Sequence, residues 1–379
     1  MGRYRELIRP VWVEIDLSAI RHNLAEIRRL VGPDVDIMAV VKADAYGHGA
    51  VQIAKVALES GAKWLGVALP EEGIALREAG ITAPILVFSP LQTEQVEAMV
   101  RFDLTSTICL LEPAVALSRA ALSAGKKPSY HVKIDTGMGR IGVPAEEAVA
   151  FIKKLQLLPG LDYGGIYSHL ATSDERDKEY AKYQIKRFNK VIVDLKAEGL
   201  FPAKAHLANS AAIIDLPLAY YNMVRPGIML YGMYPSSEVD LEKIRLKPAF
   251  SLKTKVVFIK KVPPGTAVSY GRKYITAKET TIATVPIGYA DGWSRLLSGK
   301  AEVLISGKRF PVVGAICMDL CMVDVGDEPV EIGQEVTLIG SQGSEQITVE
   351  EIGAHLGTIN YEVVCMISDR APRRYLNEN

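Results

Sequence analysis

Lys42 ends the apolar run Met38–Val41 and is followed by ADAYGHG, so a primary amine precedes an aromatic hydroxyl, Tyr46, and two glycines that lead into a helix start. At the dry mouth of a barrel, such an amine loses its proton more easily and can condense with an aldehyde. A lysine that merely snorkels into water from a strand end fits the same residue. In Tyr130–Asp135 the period of two sends His131, Lys133 and Asp135 to one face and Val132 and Ile134 to the other. If the apolar set packs against helices, three ionisable groups point inward and need partners, and Arg140 is a natural one for any anion among them. Ser210, at a helix start, and Gly227, where backbone can approach closely, suit a phosphate. Both residue types also have purely structural uses as caps and in strands.

These residues must be held by regular elements. β-Branched runs at Ile37–Lys42, Trp64–Leu69, Ile85–Phe88, Leu104–Cys109, Tyr130–Asp135, Gly165–His169, Ala205–Ala208 and Met223–Leu230 read as eight strands. Leu17, Ile20, Leu24, Ile27 and Leu30 recur with the spacing of one helix face, and a second helix is expected over about Ala50–Leu58. Eight strands alternating with helices predict a TIM (β/α)8 barrel, whose active site forms at the carboxyl ends of the strands. Lys42 closes the first strand, Lys133 and Arg140 lie in and after the fifth, His169 ends the sixth, Asn209 and Ser210 end the seventh, and Arg225 and Gly227 lie on the eighth. Beyond Phe250, the runs Lys255–Ile259, Ile282–Ile287, Val303–Ile305, Val312–Ile316 and Val336–Ile339 are separated by turn signals. The expected domains are therefore residues 11–245, a cofactor-binding α/β barrel, and residues 246–379, mostly β, with residues 1–10 a candidate addition to the second. One helix is expected there, over Val349–His355, because Thr348 and Glu351 have capping-box spacing.

The 379 residues are enough for about two domains. Basic and acidic side chains balance at 44 each, so no net field favours nucleic acid or an anionic membrane, and the expected partner is a small molecule. The opening MGRYRELIRP lacks the apolar core of a signal peptide and no apolar run is long enough to span a bilayer, so a cytoplasmic location is expected. The four cysteines form no CxxC pair, and neither a structural metal nor a disulfide is expected.

Eight segments occur in order across both halves: VVKADAYGHG, KIDTGMGRIG, HLANSAA, NMVRPGIMLYG, VSYG, PIGYADGW, ICMD and TINYEV. Together they closely resemble the alanine racemases, a fold-type III pyridoxal-phosphate-dependent family of isomerases, over essentially the whole chain. The resemblance implies a homodimer with shared active sites, in which Lys42 carries pyridoxal 5'-phosphate as an aldimine. It assigns the phosphate to Tyr46, Ser210, Gly227, Ile228 and Tyr361, beside Asn209, and sets His169 next to the ring. Arg140 matches an arginine at the phenolic oxygen and substrate, and Lys133 a lysine that many members carbamylate. Tyr270, Met318 and Asp319 match residues supplied by the partner chain, with Tyr289 near the substrate entrance.

Racemisation removes an α-proton from one face of a planar centre and returns one to the other, so two acid/base groups must flank it. The resemblance gives the D-face to Lys42 and the L-face to Tyr270. Tyrosine in water keeps its proton up to about pH 10, so this role calls for positive or hydrogen-bonding neighbours, for which His169 and Arg225 are the candidates. Arg225 matches a residue facing the pyridine nitrogen, where many cofactor enzymes place a carboxylate; a cation there discourages protonation. The implied activity is L-alanine/D-alanine interconversion supplying peptidoglycan. Ala315 and Leu320 stand where many members have arginine and glutamine, and Asp369 and Ala371 depart from the usual terminal pattern. A serine or broad-specificity racemase is therefore the alternative. A decarboxylase would want an acid in place of Arg225. A non-catalytic carrier would lack the β half, and a cofactor-free lyase leaves VSYG and TINYEV without a role.

Overall fold

The structure, a computed structural model, describes residues 8–378; residues 1–7 of the segment proposed to join the β half lie outside them. Contacts divide the chain into two compact units. One is built on eight strands: β1 (Asp36–Val40), β2 (Trp64–Val67), β3 (Ile85–Pro90), β4 (Thr105–Ile108), β5 (Ser129–Asp135), β6 (Asp162–Tyr167), β7 (Lys204–His206) and β8 (Met223–Val224). Each lies parallel to the next, and β8 returns to β1 with Met223 opposite Asp36 and Val224 opposite Ile37, which closes the predicted TIM barrel. β1 is buried throughout, as expected for a parallel strand covered on both faces, and that is why it reads as an apolar run. The helices Leu17–Val31 and Ala50–Glu59 fall where the spacing predicts them; Ile20, Leu24 and Ile27 are fully buried.

Five barrel strands, β1, β2, β4, β7 and β8, are shorter than the sequence suggests. The first ends before Lys42, and the eighth stops at Val224 rather than Leu230. Pro226 supplies no N–H to a ladder, and the chain turns into a 3-10 segment over Ile228–Tyr231. Arg225 and Gly227 therefore lie just past the last strand, not on it.

The second unit is a mostly β domain. Its main sheet runs Phe258–Val262, Thr280–Val285, Cys321–Gly326, Lys308–Val313, Glu302–Ile305, Glu335–Gln342, Phe250–Lys255, Val11–Asp16 and Arg373–Leu376. Neighbours are antiparallel except the last pair. Val11–Asp16 thus pairs with Phe250–Lys255, although the sequence reading starts the barrel at residue 11. The run read as one strand over Lys255–Ile259 is split between two strands, and the run Val312–Ile316 ends at Val313, where Gly314 takes φ 68°. The capped helix is present as Val349–Leu356, with the Glu351 N–H donating to Thr348 Oγ1 at 3.1 Å. No helix of the described residues is long and apolar enough to cross a membrane.

Candidate active site

Lys42 opens a turn of the wrong hand. Ala43, Asp44, Ala45 and Tyr46 have φ of 52°, 50°, 53° and 54°, so four consecutive non-glycine residues are left-handed. Each such residue costs about 1–2 kcal/mol relative to the ordinary helix. Hydrogen bonds offset part of this: Ala45 N–H donates to Val41 O at 2.9 Å, Ala43 N–H to Glu72 Oε1 at 2.6 Å and Ala50 N–H to Asp44 Oδ1 at 2.7 Å. Backbone strain of this kind persists where the surroundings over-determine it, and here it sets the direction of the half-buried Lys42 at the carboxyl end of β1.

The barrel mouth gathers cations. Burial, reinforced by the positive charges of Lys133, Arg225, Arg140 and Lys42, holds the His169 imidazole well below the usual histidine range. Lys133, on β5, is 3% exposed, and its Nζ lies 4.3 Å from the centre of the Tyr167 ring. Burial first, then Arg225 and Arg140, pushes its amine well below the ordinary lysine range, which favours the neutral, nucleophilic form. The Asp135 carboxylate, predicted to point inward with these groups, is half-buried and accepts from the backbone N–H groups of Gly137 at 2.9 Å and Gly139 at 3.2 Å.

Among the described residues no carboxylate hydrogen-bonds to Arg225. Its guanidinium donates to Ser168 O at 2.7 Å, Leu207 O at 3.1 Å, His206 Nδ1 at 2.8 Å and, at 3.4 Å, His169 Nδ1. Burial lowers it to about 10, which still leaves it charged at neutral pH. Because arginine only donates, His206 Nδ1 must accept, its Nε2 carries the proton, and that proton goes to His131 Nδ1 at 2.9 Å. His131 Nε2 is then a buried N–H with no hydrogen-bond partner among the described residues. The His131 ring fits against Gly165, where any Cβ would come within 2.8 Å of three of its ring atoms. Tyr167 stacks on His206 with ring centres 4.8 Å apart and donates to Thr107 Oγ1 at 2.7 Å, since the Thr107 hydroxyl itself donates to Val87 O.

At the ends of β7 and β8, Asn209 caps the helix Ser210–Asp215 by accepting from Ala212 N–H at 3.0 Å. Ser210 Oγ accepts from Gly227 N–H at 2.9 Å, so Asn209, Ser210, Gly227 and Ile228 form one local cradle. Lys42, Arg140 and Arg225 around the half-buried His169, with Ser210 and the backbone N–H groups at the ends of β7 and β8, are a donor set matched to an anion with separated charges. A phosphorylated aromatic aldehyde with an ionised phenol has that form.

In the β unit, Tyr46 is buried with its ring centre 6.1 Å from that of Tyr361. Tyr270, Met318 and Tyr289 are 69%, 53% and 43% exposed. Asp319 is exposed and pairs with Arg370 at 2.6 Å. Tyr289 and Ala290 donate their N–H groups to Cys317 O and Met318 O, both at 3.1 Å, which joins the Tyr289 turn to the ICMD loop.

Sequence reading missed Tyr167, His206 and Thr107. Tyr167 lies two residues before His169 and His206 two after Lys204, so the period-two argument applied to β5 would have found both if carried to β6 and β7.

An amino-acid isomerase on a barrel with a β domain is the class these features define. Residues 15–235 match the family model described as alanine racemase, N-terminal domain, and residues 249–375 match alanine racemase, C-terminal domain. Alanine racemases from Methanococcus maripaludis and Desulforamulus reducens are each 50% identical over 97% of this chain and 99% of their own length. The solved alanine racemase of Clostridium difficile 630 superposes with a TM-score of 0.94 at 44% identity, covering 99% of this chain and 98% of its own. The chain belongs to the alanine racemase family.

Proposed function

We propose that the protein interconverts L-alanine and D-alanine, using pyridoxal 5'-phosphate, as a cytoplasmic homodimer that supplies D-alanine for peptidoglycan. The observation that carries this reading is the convergence of Lys42, Lys133, Arg140 and Arg225 on His169 at the barrel mouth. When bound, the cofactor supplies an electron-withdrawing ring that acidifies the α-hydrogen of an amino acid joined to it. Lys42 binds the cofactor and moves the α-proton on the D-face, and Tyr270 of the partner subunit does so on the L-face. Tyr46, Ser210, Gly227, Ile228 and Tyr361 bind the phosphate, with Asn209 ordering the adjoining helix start. Arg225, oriented by His206 and two backbone carbonyls, faces the ring nitrogen and, as a retained cation, keeps a proton off it.

Arg140 binds the phenolic oxygen and the substrate carboxylate, and Met318 and Asp319 of the partner subunit, with Tyr289, border the substrate. Lys133, whose amine is pushed toward the neutral form by burial and by Arg225 and Arg140, suits addition of carbon dioxide with release of a proton, giving an anionic carbamate that pairs with Arg140. The test is to follow both enantiomers of alanine, with serine in parallel, and to treat the yellow protein with borohydride. Interconversion of alanine in both directions, with bleaching, supports the reading. Activity on serine but not alanine removes the substrate assignment, and a colourless protein removes the cofactor.

A further inference from the structure

We infer that Ser269 is a positioning residue for Tyr270, its hydroxyl clamping the tyrosine's turn to the strand end at Ala315 and so fixing where the phenol is presented. The inference rests on the proposed role of Tyr270 as the L-face base.

Tyr270 needs such a device because its ring, 69% exposed within its own chain, is not held by packing against that chain. Its backbone is held instead. Ser269 has φ 66° and ψ −174°, and Gly271 and Arg272 follow with φ of 71° and 52°. Tyr270 therefore sits between residues of positive φ, in a turn bonded by Arg272 N–H to Ser269 O at 3.3 Å. The Ser269 conformation is one that essentially only glycine adopts, and it costs a residue with a side chain about 1–3 kcal/mol.

A serine in a glycine's place needs compensation, and its hydroxyl supplies it. Ser269 Oγ donates to Ala315 O at 2.6 Å and lies 3.5 Å from Cys317 Sγ. The approach leaves no slack: a Cβ at Gly314 would lie 2.8 Å from both Ser269 Cβ and Val268 O. The clamp ends on the segment whose Cys317 and Met318 carbonyls accept from Tyr289 and Ala290. Through one hydroxyl, Tyr270 is thus tied to the loop that bears Met318 and Asp319.

Ser269→Ala keeps the strained backbone and loses the clamp; Ser269→Gly loses the clamp and relieves the strain. Because the enantiomers have equal free energy, kcat/KM must be the same from either side in every variant, so the discriminating measurement is the primary isotope effect. In the holoenzyme both variants are expected to lower kcat by about 10- to 100-fold. They should raise the isotope effect on α-deuterated L-alanine and lower it on α-deuterated D-alanine, as transfer at Tyr270 becomes limiting. Ser269→Gly should retain its cofactor and melt no lower than the parent protein, so a general loss of structure would not produce the pattern. Isotope effects that stay put, or that move equally from both sides, overturn the inference. Tyr270→Phe separates the two levels: if it racemises alanine with unaltered isotope effects, the L-face role falls. If it alters them and the Ser269 variants do not, that role stands and the clamp falls.

Discussion

The barrel mouth and the Tyr270 platform hold reactive groups by opposite means. At the mouth, His131, His206 and Arg225 are buried and fixed by one another, through hydrogen bonds whose direction follows from a single arginine, and Lys133 is buried against the Tyr167 ring. On the platform, Tyr270, Met318 and Tyr289 are exposed and held by the backbone beneath them. Burial changes the chemistry of a group, shifting amine and imidazole alike, whereas a backbone clamp changes only its location. A substitution at the mouth should therefore disturb charge, stability and reaction together, while one on the platform should disturb geometry alone.

The strongest test of the mouth is Lys42→Ala, which should lower racemisation at least about a thousandfold, or about 4 kcal/mol, and abolish borohydride fixation of the cofactor. Retained activity would mean that another amine does the work. Next is Arg225→Glu, which replaces the retained cation by an acid able to hold a proton at the ring nitrogen. Racemisation should fall about a hundredfold or more, with up to one equivalent of pyruvate per site released slowly as the cofactor takes up the amino group; absence of pyruvate would show that the charge here does not control reaction type.

Stability should also report the buried rings. His131 is pushed down to about 3 and His206 well below the ordinary value, both mainly by burial. Below about pH 6.5 the unfolded chain binds protons that these native rings refuse. Stability from this source is thus fully present above that pH and is lost as pH falls through the interval down to the native values. The His131 ring alone corresponds to about 2 kcal/mol between pH 7 and pH 5, measurable from urea unfolding, and His206 adds a slope of the same sign. In His131→Phe the His131 part of that slope should disappear. The smallest effect is expected from Gly165→Ala, whose methyl group displaces the His131 ring. A loss of about 1–3 kcal/mol, seen as a lower melting temperature, would place that ring in the support of Arg225; no loss would show that the barrel absorbs the methyl.

Much of this contrast was legible in the sequence, and for physical reasons. Buried parallel strands such as Asp36–Val40 and Trp64–Val67 leave apolar runs, and the polar residues that follow them stand out against that background. Alternation placed His131 and Lys133 inside β5 correctly, because a closed barrel has no solvated edge. The hidden part depends on backbone geometry. Nothing in KADAY announces a left-handed turn, since alanine is the best former of the right-handed helix. Nothing in VSYGR announces that the serine rather than the glycine beside it takes the most restricted conformation. The end of β8 was misread because Met223–Leu230 is apolar apart from Arg225 and its Pro–Gly pair; Pro226 was the available signal.

The left-handed turn after Lys42 has a consequence for mirror-image chemistry. Its φ angles are those an L-residue resists by about 1–2 kcal/mol and a D-residue prefers by the same argument reflected. Ala43 and Ala45 are thus two L-alanines held in the backbone conformation natural to D-alanine. A semisynthetic chain with D-alanine at those two positions should gain stability from a change of handedness alone, provided each inverted methyl finds room.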